Sequence, residues 1–362
     1  MKLSRSTRLA AALAAGSLAL AACGGSDGGG ASATEDEGLG GTLAGAGSSA
    51  QAAAMEGWIA GFQTVNEQAT VNYDPVGSGG GREQFLAGGV AFAGSDAALD
   101  EEELAQAEER CGEGGLVEVP LYISPIAVAF NLPGIETLDL SPEVIAGIFA
   151  QKITTWDAPE IAADNPDADL PSTAITPVNR ADESGTTENF TEYLAAAAPQ
   201  MWTEEPSGDW PIAGGEAAQG TSGVVQAIEG AEGAIGYADA SQVGDLGIVA
   251  VGVGDEFVEY SPEAAAAVVE NSPRIEGRPE GSLALELARD TAESGNYPIV
   301  LVSYQLACKT YEDTAQGELV RGFLEYAASE EGQAAASEAA GSTPISDTIR
   351  TEALAQIEQI GA

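Results

Sequence analysis

The sequence predicts an α/β protein folded as two lobes, with mixed β-sheets flanked by helices, and three observations carry that prediction. Short apolar runs alternate with longer stretches of helical periodicity, as strands and helices of one layered architecture do. The globular part begins near Leu39 and is about 320 residues long, more than one ordinary hydrophobic core holds. Two long apolar runs, Leu116 to Phe130 and Tyr297 to Leu306, read as strands crossing between lobes, one on the way out and one on the way back. Lobe one is then discontinuous, residues 39–122 with 298–362, and lobe two is 123–297.

The remaining elements follow from local pattern. Val71 to Tyr73, Val90 to Ala93, Ile126 to Phe130 and Ile248 to Val251 are apolar runs of strand length. Helices are predicted over Ala50 to Val65, Glu101 to Arg110, Pro142 to Phe149, Glu188 to Ala197 and Glu318 to Ala328. Ser141 before Pro142 is a start signal, an N-cap followed by the proline that a first turn admits. Leu319, Val320, Phe323, Leu324 and Ala327 share one helical face, so they are core. Trp156, Trp210 and Tyr237 also read as core, in preference to a stacking platform for a sugar. The acidic groups Glu101 to Glu103 and Glu108 to Glu109 read as a solvated helix face, and no metal site is assigned.

The first residues bear on compartment. Lys2, Arg5 and Arg8 precede the apolar run Leu9 to Leu20, and Leu20-Ala21-Ala22-Cys23 follows, which reads as a signal peptide over 1–22. The run is too short for a permanent span, which takes about 20 apolar residues. Leu-Ala-Ala-Cys resembles the bacterial lipobox, which implies lipidation of Cys23 and anchoring at the extracytoplasmic face of the membrane. Residues 23–38, rich in Gly, Ser and acidic side chains, read as a flexible tether. Removing 1–22 leaves 10 basic against 57 acidic side chains, a balance of −47. Such a chain repels nucleic acid and anionic lipid alike. Histidine is absent, which removes Ser-His-Asp catalysis and His-ligated metals. Cys111 and Cys308 then remain as a pair in a compartment that permits disulfides. They read as a bridge within lobe one, with two buried thiols as the other reading. Closing a loop of roughly 200 residues stabilises by about 4–5 kcal/mol in the chain-entropy model.

Four polar stretches stand beside predicted helix starts: Gly45-Ala46-Gly47-Ser48-Ser49-Ala50, Gly77-Ser78-Gly79-Gly80-Gly81, Ala93-Gly94-Ser95-Asp96, and Arg180-Ala181-Asp182-Glu183-Ser184-Gly185-Thr186-Thr187. Free backbone N–H groups and the positive end of the helix dipole receive anions there, and arginine supplies planar donors suited to a tetrahedral oxyanion. Singly, each stretch reads as a turn or a cap. Their order and spacing resemble those of phosphate-specific periplasmic binding proteins, the substrate-binding subunits of phosphate ABC transporters. The resemblance runs from about Thr42 to Ser346 through GAGSSA, VNYDPVGSGGG, FAGSDAAL, ITTWD, VNRADESGTT and GAIGYADA.

The resemblance implies the two-lobed (type II) periplasmic binding fold, a monomer without cofactor, and delivery of inorganic phosphate to ABC permease subunits. It makes Ser49, the Ala50 N–H, Ser78, Asp96, Arg180, Ser184, Gly185 and Thr186 the ligand contacts, with Asp182 orienting Arg180. The family usually has a bulkier residue where Ala50 stands, so this chain keeps the N–H donor and loses cover over the ligand. Asp96 would accept a hydrogen bond from the proton that phosphate still carries near neutral pH and sulfate lacks. A site built around one hydrogen bond rejects an analogue without it by about 10⁴–10⁵. Rival readings are a binding protein for sulfate, molybdate or an organic phosphate, a phosphoester hydrolase using a serine nucleophile, and a surface protein that has lost its ligand.

Overall fold

The computed structural model describes residues 38–361. The predicted signal peptide, Cys23 and all but the last residue of the predicted tether lie outside the described residues. The chain opens with β1 (Gly41–Gly47), α1 (Ala52–Val65), β2 (Ala69–Asp74), α2 (Ser78–Leu86), β3 (Phe92–Ser95) and α3 (Glu101–Cys111) before the long β4 (Leu116–Phe130). There follow β5 (Thr137–Leu140), α4 (Pro142–Phe149), α5 (Pro159–Asp164), β6 (Thr176–Arg180), α6 (Gly185–Ala197), β7 (Glu216–Ala218), α7 (Gly220–Gly230) and β8 (Ala234–Asp239). The last elements are β9 (Gly247–Val253), β10 (Glu256–Val258), α8 (Pro262–Glu270), β11 (Val300–Cys308), α9 (Thr314–Ala328), α10 (Glu330–Ala340) and α11 (Asp347–Ile357).

Two mixed sheets share β4. The first runs β2-β1-β3-β11-β4, parallel through β2, β1 and β3 and antiparallel at β11. Residues 116–125 of β4 pair with β11, after which Ile126–Phe130 pair with β8 and β9 in the second sheet. There β6 joins β8 in parallel, and β7 lies beyond β6. Every residue of β4 and β11 is buried, which is why both read as uninterrupted apolar runs.

Helices cover the sheets with apolar faces. Leu319, Val320, Phe323, Leu324 and Ala327 of α9 are buried, with Phe323 edge-on to Phe62 of α1. Trp156 and Tyr237 are buried beside Phe130 and Phe190, and Trp210 packs on Tyr237. Cys111 and Cys308 form a disulfide with Cα atoms 5.1 Å apart, tying the end of α3 to β11. Between α8 and β11, Arg278 and Ser282 bond the buried Glu118 of β4, with Arg278 Nη2 at 2.6 Å.

Four local expectations are revised. Ser78–Gly81 is the first turn of α2 itself, not a turn ahead of it. Glycine weakens a helix by about 1 kcal/mol relative to alanine, but a Cβ at Gly81 would sit 2.3 Å from Gly47 Cα, so close packing on β1 requires it. Val90 and Ala91 precede β3 and finish the turn after Gly88 and Gly89. Ser141 stands at the N-cap of α4 without a side-chain cap bond, while Pro142 occupies the first turn as expected. On α3, Glu103 is no bystander. It completes a capping box with Asp100 and pairs with Arg82 at 2.6 Å.

Candidate functional site

The carboxyl ends of β1, β3 and β6 and the N-termini of α2, α6 and α7 meet between the two sheets. Ligands of open α/β sheets bind at such strand ends, and helix N-termini turn free N–H groups toward them. The first sheet brings Ser48, Ser49, Ser78 and Asp96; the second brings Arg180, Asp182, Ser184, Gly185, Thr186 and Thr221. All but Asp182 are buried. The two sides touch directly. Ser49 Oγ lies 3.0 Å from Thr221 Oγ1, Gln242 Nε2 donates to Ser49 O at 3.0 Å, and Asn189 Nδ2 donates to Asp96 O at 2.7 Å. Gly185 permits this approach: a Cβ there would meet Asp96 Cβ and Ser78 Oγ, each at 2.7 Å.

Asp96 is the hub of the first side. Ser48 Oγ donates to Oδ2 at 2.7 Å, Thr186 Oγ1 reaches the same oxygen at 3.4 Å, and Ser303 Oγ donates to Oδ1. The Asp96 N–H donates to Ser78 Oγ at 3.1 Å. Burial pushes the Asp96 carboxyl above its ordinary value; Ser303, Ser48, Arg180 and Ser78 pull the other way. Buried carboxylates persist when hydrogen-bonded in the charged form.

On the second side, Arg180 and Asp182 form two parallel bonds, Nε to Oδ1 at 2.8 Å and Nη2 to Oδ2. Asp182 Oδ1 also accepts the Gly220 N–H at 3.0 Å. The fork is thereby fixed in one orientation. Ser184 caps α6 by accepting the Thr187 N–H at 3.2 Å. Thr187 Oγ1 bonds Tyr237 Oη at 2.8 Å, so this turn is braced from beneath.

Of the ligand contacts expected from the sequence, Ser78, Asp96, Gly185 and Thr186 adjoin one another, Asp182 holds Arg180 and Ser49 meets Thr221, while Ala50 calls for one qualification. The Ala50 N–H is directed at Ser48 Oγ, 3.1 Å away. Sequence reasoning missed Ser48, Asn189, Thr221, Gln242 and Ser303. Gly220-Thr221-Ser222-Gly223 carried the same signal as the stretches that were found, small and hydroxyl residues at a helix start. Ser303 carried only a polar interruption of an apolar strand. Among the described residues, no cluster of three His, Cys, Asp or Glu side chains is placed to hold a metal ion.

Known proteins resemble this chain in sequence and in fold. The model of the PBP superfamily domain matches residues 31–331. Phosphate-binding protein PstS 3 of Mycobacterium tuberculosis is 36% identical over 344 residues, covering 90% of this chain and 91% of that protein. The chain belongs to the phosphate-binding PstS family of the PBP superfamily. Its family fold recurs in solved structures. A periplasmic phosphate-binding protein, PfluDING, solved with bound phosphate, superposes with a TM-score of 0.68 at 24% identity, covering 87% of this chain and 93% of that one. A Clostridium perfringens protein solved with bound phosphate gives a TM-score of 0.61 at 20% identity, covering 84% of this chain and 100% of that one. At these identities the structures establish the two-lobed PstS-type fold and nothing finer.

Proposed function

We propose that this protein binds inorganic phosphate, as hydrogen phosphate, outside the cytoplasmic membrane and delivers it to the permease of an ABC transporter. The observation that carries the reading is Asp96, a buried carboxylate set among hydroxyl and N–H donors opposite a fixed arginine. An anion with no proton would set its oxygen against the acceptor position of Asp96 that Ser48, Thr186 and Ser303 leave open, and a buried acceptor left facing another acceptor costs several kcal/mol. A ligand carrying one O–H supplies the missing donor, while Arg180, Ser78 and the α6 N-terminus receive its other oxygens. The surrounding acidity does not defeat this: distant carboxylates are screened beyond about 8 Å at physiological ionic strength.

The division into lobes is carried over as 39–122 with 298–362, and 123–297. The contacts across the site, Ser49 with Thr221 and Asn189 with Asp96, support a reading in which one lobe closes on the other around the ion. The segment holding Arg278 and Ser282 belongs to lobe two by chain order and bonds Glu118 of lobe one. A binding rather than catalytic role is supported by the placement of the basic side chains. Lys152 Nζ donates to Met201 O and Lys309 Nζ to Gln359 Oε1, so neither serves as a base to a site serine. Lipidation at Cys23 would keep the carrier beside its permease, and mass spectrometry of the membrane-extracted protein tests it.

The direct test of the function is calorimetry of the purified protein, stripped of anion by unfolding and refolding, with phosphate. Saturable binding at one site is expected. Refolded protein that takes up no phosphate would overturn the assignment.

A further inference from the structure

Ser303 sits in the middle of β11, between Val302 and Tyr304, in a strand with no exposed residue. The β11–β4 ladder slips at this point: Ser303 stands opposite Tyr122, whereas Tyr304 stands opposite Pro120. Irregularities of this kind re-aim side chains beside sites. Here the hydroxyl reaches across to β3 and donates its single hydrogen to Asp96 Oδ1.

A carboxylate offers about four acceptor positions. Ser48 and Thr186 take two on Oδ2, and Ser303 takes one on Oδ1. Ser48 is itself held, since its oxygen accepts the Ala50 and Gln51 N–H groups at 3.1 and 3.4 Å. Thr186 is the loosest of the three, at 3.4 Å, and is a proposed ligand contact. We infer that Ser303 is a positioning residue for anion selection: with Ser48 it locks the rotation of the Asp96 carboxylate, so that one fixed acceptor faces the ligand's O–H. The inference rests on the phosphate reading above. It gives a crossover strand, remote from every sequence motif, a direct part in choosing the ion. Burial pushes the Asp96 carboxyl up, and the Ser303 bond is the first influence opposing that push.

The test compares the unaltered protein with Ser303→Ala and Ser303→Thr. Inorganic phosphate affinity is measured from pH 5 to 8, and the Asp96 carboxyl is followed by carbon NMR without added anion. Ser303→Ala is expected to bind phosphate roughly ten- to hundredfold more weakly, the loss of one hydrogen bond to a charged group. The deficit should deepen toward pH 5, and Asp96 should titrate at higher pH. Ser303→Thr, which keeps the hydroxyl, should restore both. A deficit equal at every pH with Asp96 unmoved, or no deficit, overturns the role of Ser303 and leaves the phosphate reading intact. Unaltered protein that binds no phosphate overturns both. Should Ser303→Ala not fold, Ser303→Cys, a weaker donor of similar size, decides by the same outcomes.

Discussion

The two walls of the site hold buried charge in different ways. On the first wall Asp96 has no cation bonded to it among the described residues; three hydroxyls hold it, from Ser48, Thr186 and Ser303. On the second wall Arg180 is locked to Asp182, whose Oδ1 also takes the Gly220 N–H. Hydroxyl bonds leave the carboxylate's charge in place and its geometry fixed, so on the proposed reading the first wall discriminates. The ion pair makes a rigid donor fork next to two helix N-termini, so the second wall attracts. Selectivity and affinity are thus assigned to opposite sides of one cleft.

That division breaks most readily at Asp96. Asp96→Asn keeps the shape but replaces an obligate acceptor with an amide that can donate. The phosphate preference over sulfate, about 10⁴-fold or more in sites built on one such bond, should collapse toward parity in competition titrations. Arg180→Ala attacks the other wall. It removes the fork and strands Asp182, and should weaken phosphate by about 2–5 kcal/mol, as truncating one member of a buried charge pair does, with selectivity against sulfate preserved. Asp182→Asn leaves the guanidinium present but less firmly aimed, so the loss in phosphate affinity should be smaller, about 1–2 kcal/mol.

The last prediction concerns stability under the second wall and leaves the ligand aside. Glu188, in the first turn of α6, is pushed up to about 7 by burial, with Arg82 opposing and Glu192, Glu103 and Glu183 adding to the rise. Its folded value lies above its ordinary one of 4.5, so its contribution is complete below that ordinary value and is lost as pH rises through about 7. Glu188→Gln should therefore narrow the gap in Tm between pH 5 and pH 8.

Much of this was legible in the sequence for identifiable reasons. β4 and β11 read as long apolar runs because both faces are covered, and Arg180 to Thr187 stood out because an arginine before a small-residue helix start has a chemical meaning by itself. Ser78–Gly81 reads as a turn ahead of its helix because local propensity disfavours glycine in helices, while the deciding contact, Gly81 against Gly47, is tertiary. Ser303 and Asn189 were invisible for the same reason. Each is unremarkable among its chain neighbours and acquires a role only where β11 and α6 meet Asp96.

The central claim is that the site selects an oxyanion by its remaining proton, and the ratio of phosphate to sulfate affinity of the unaltered protein at pH 7 tests it most directly. A ratio of about 10⁴ or greater is predicted. Phosphate and sulfate binding within tenfold of each other would contradict the account, because Asp96 would then be no barrier to an anion that brings no proton.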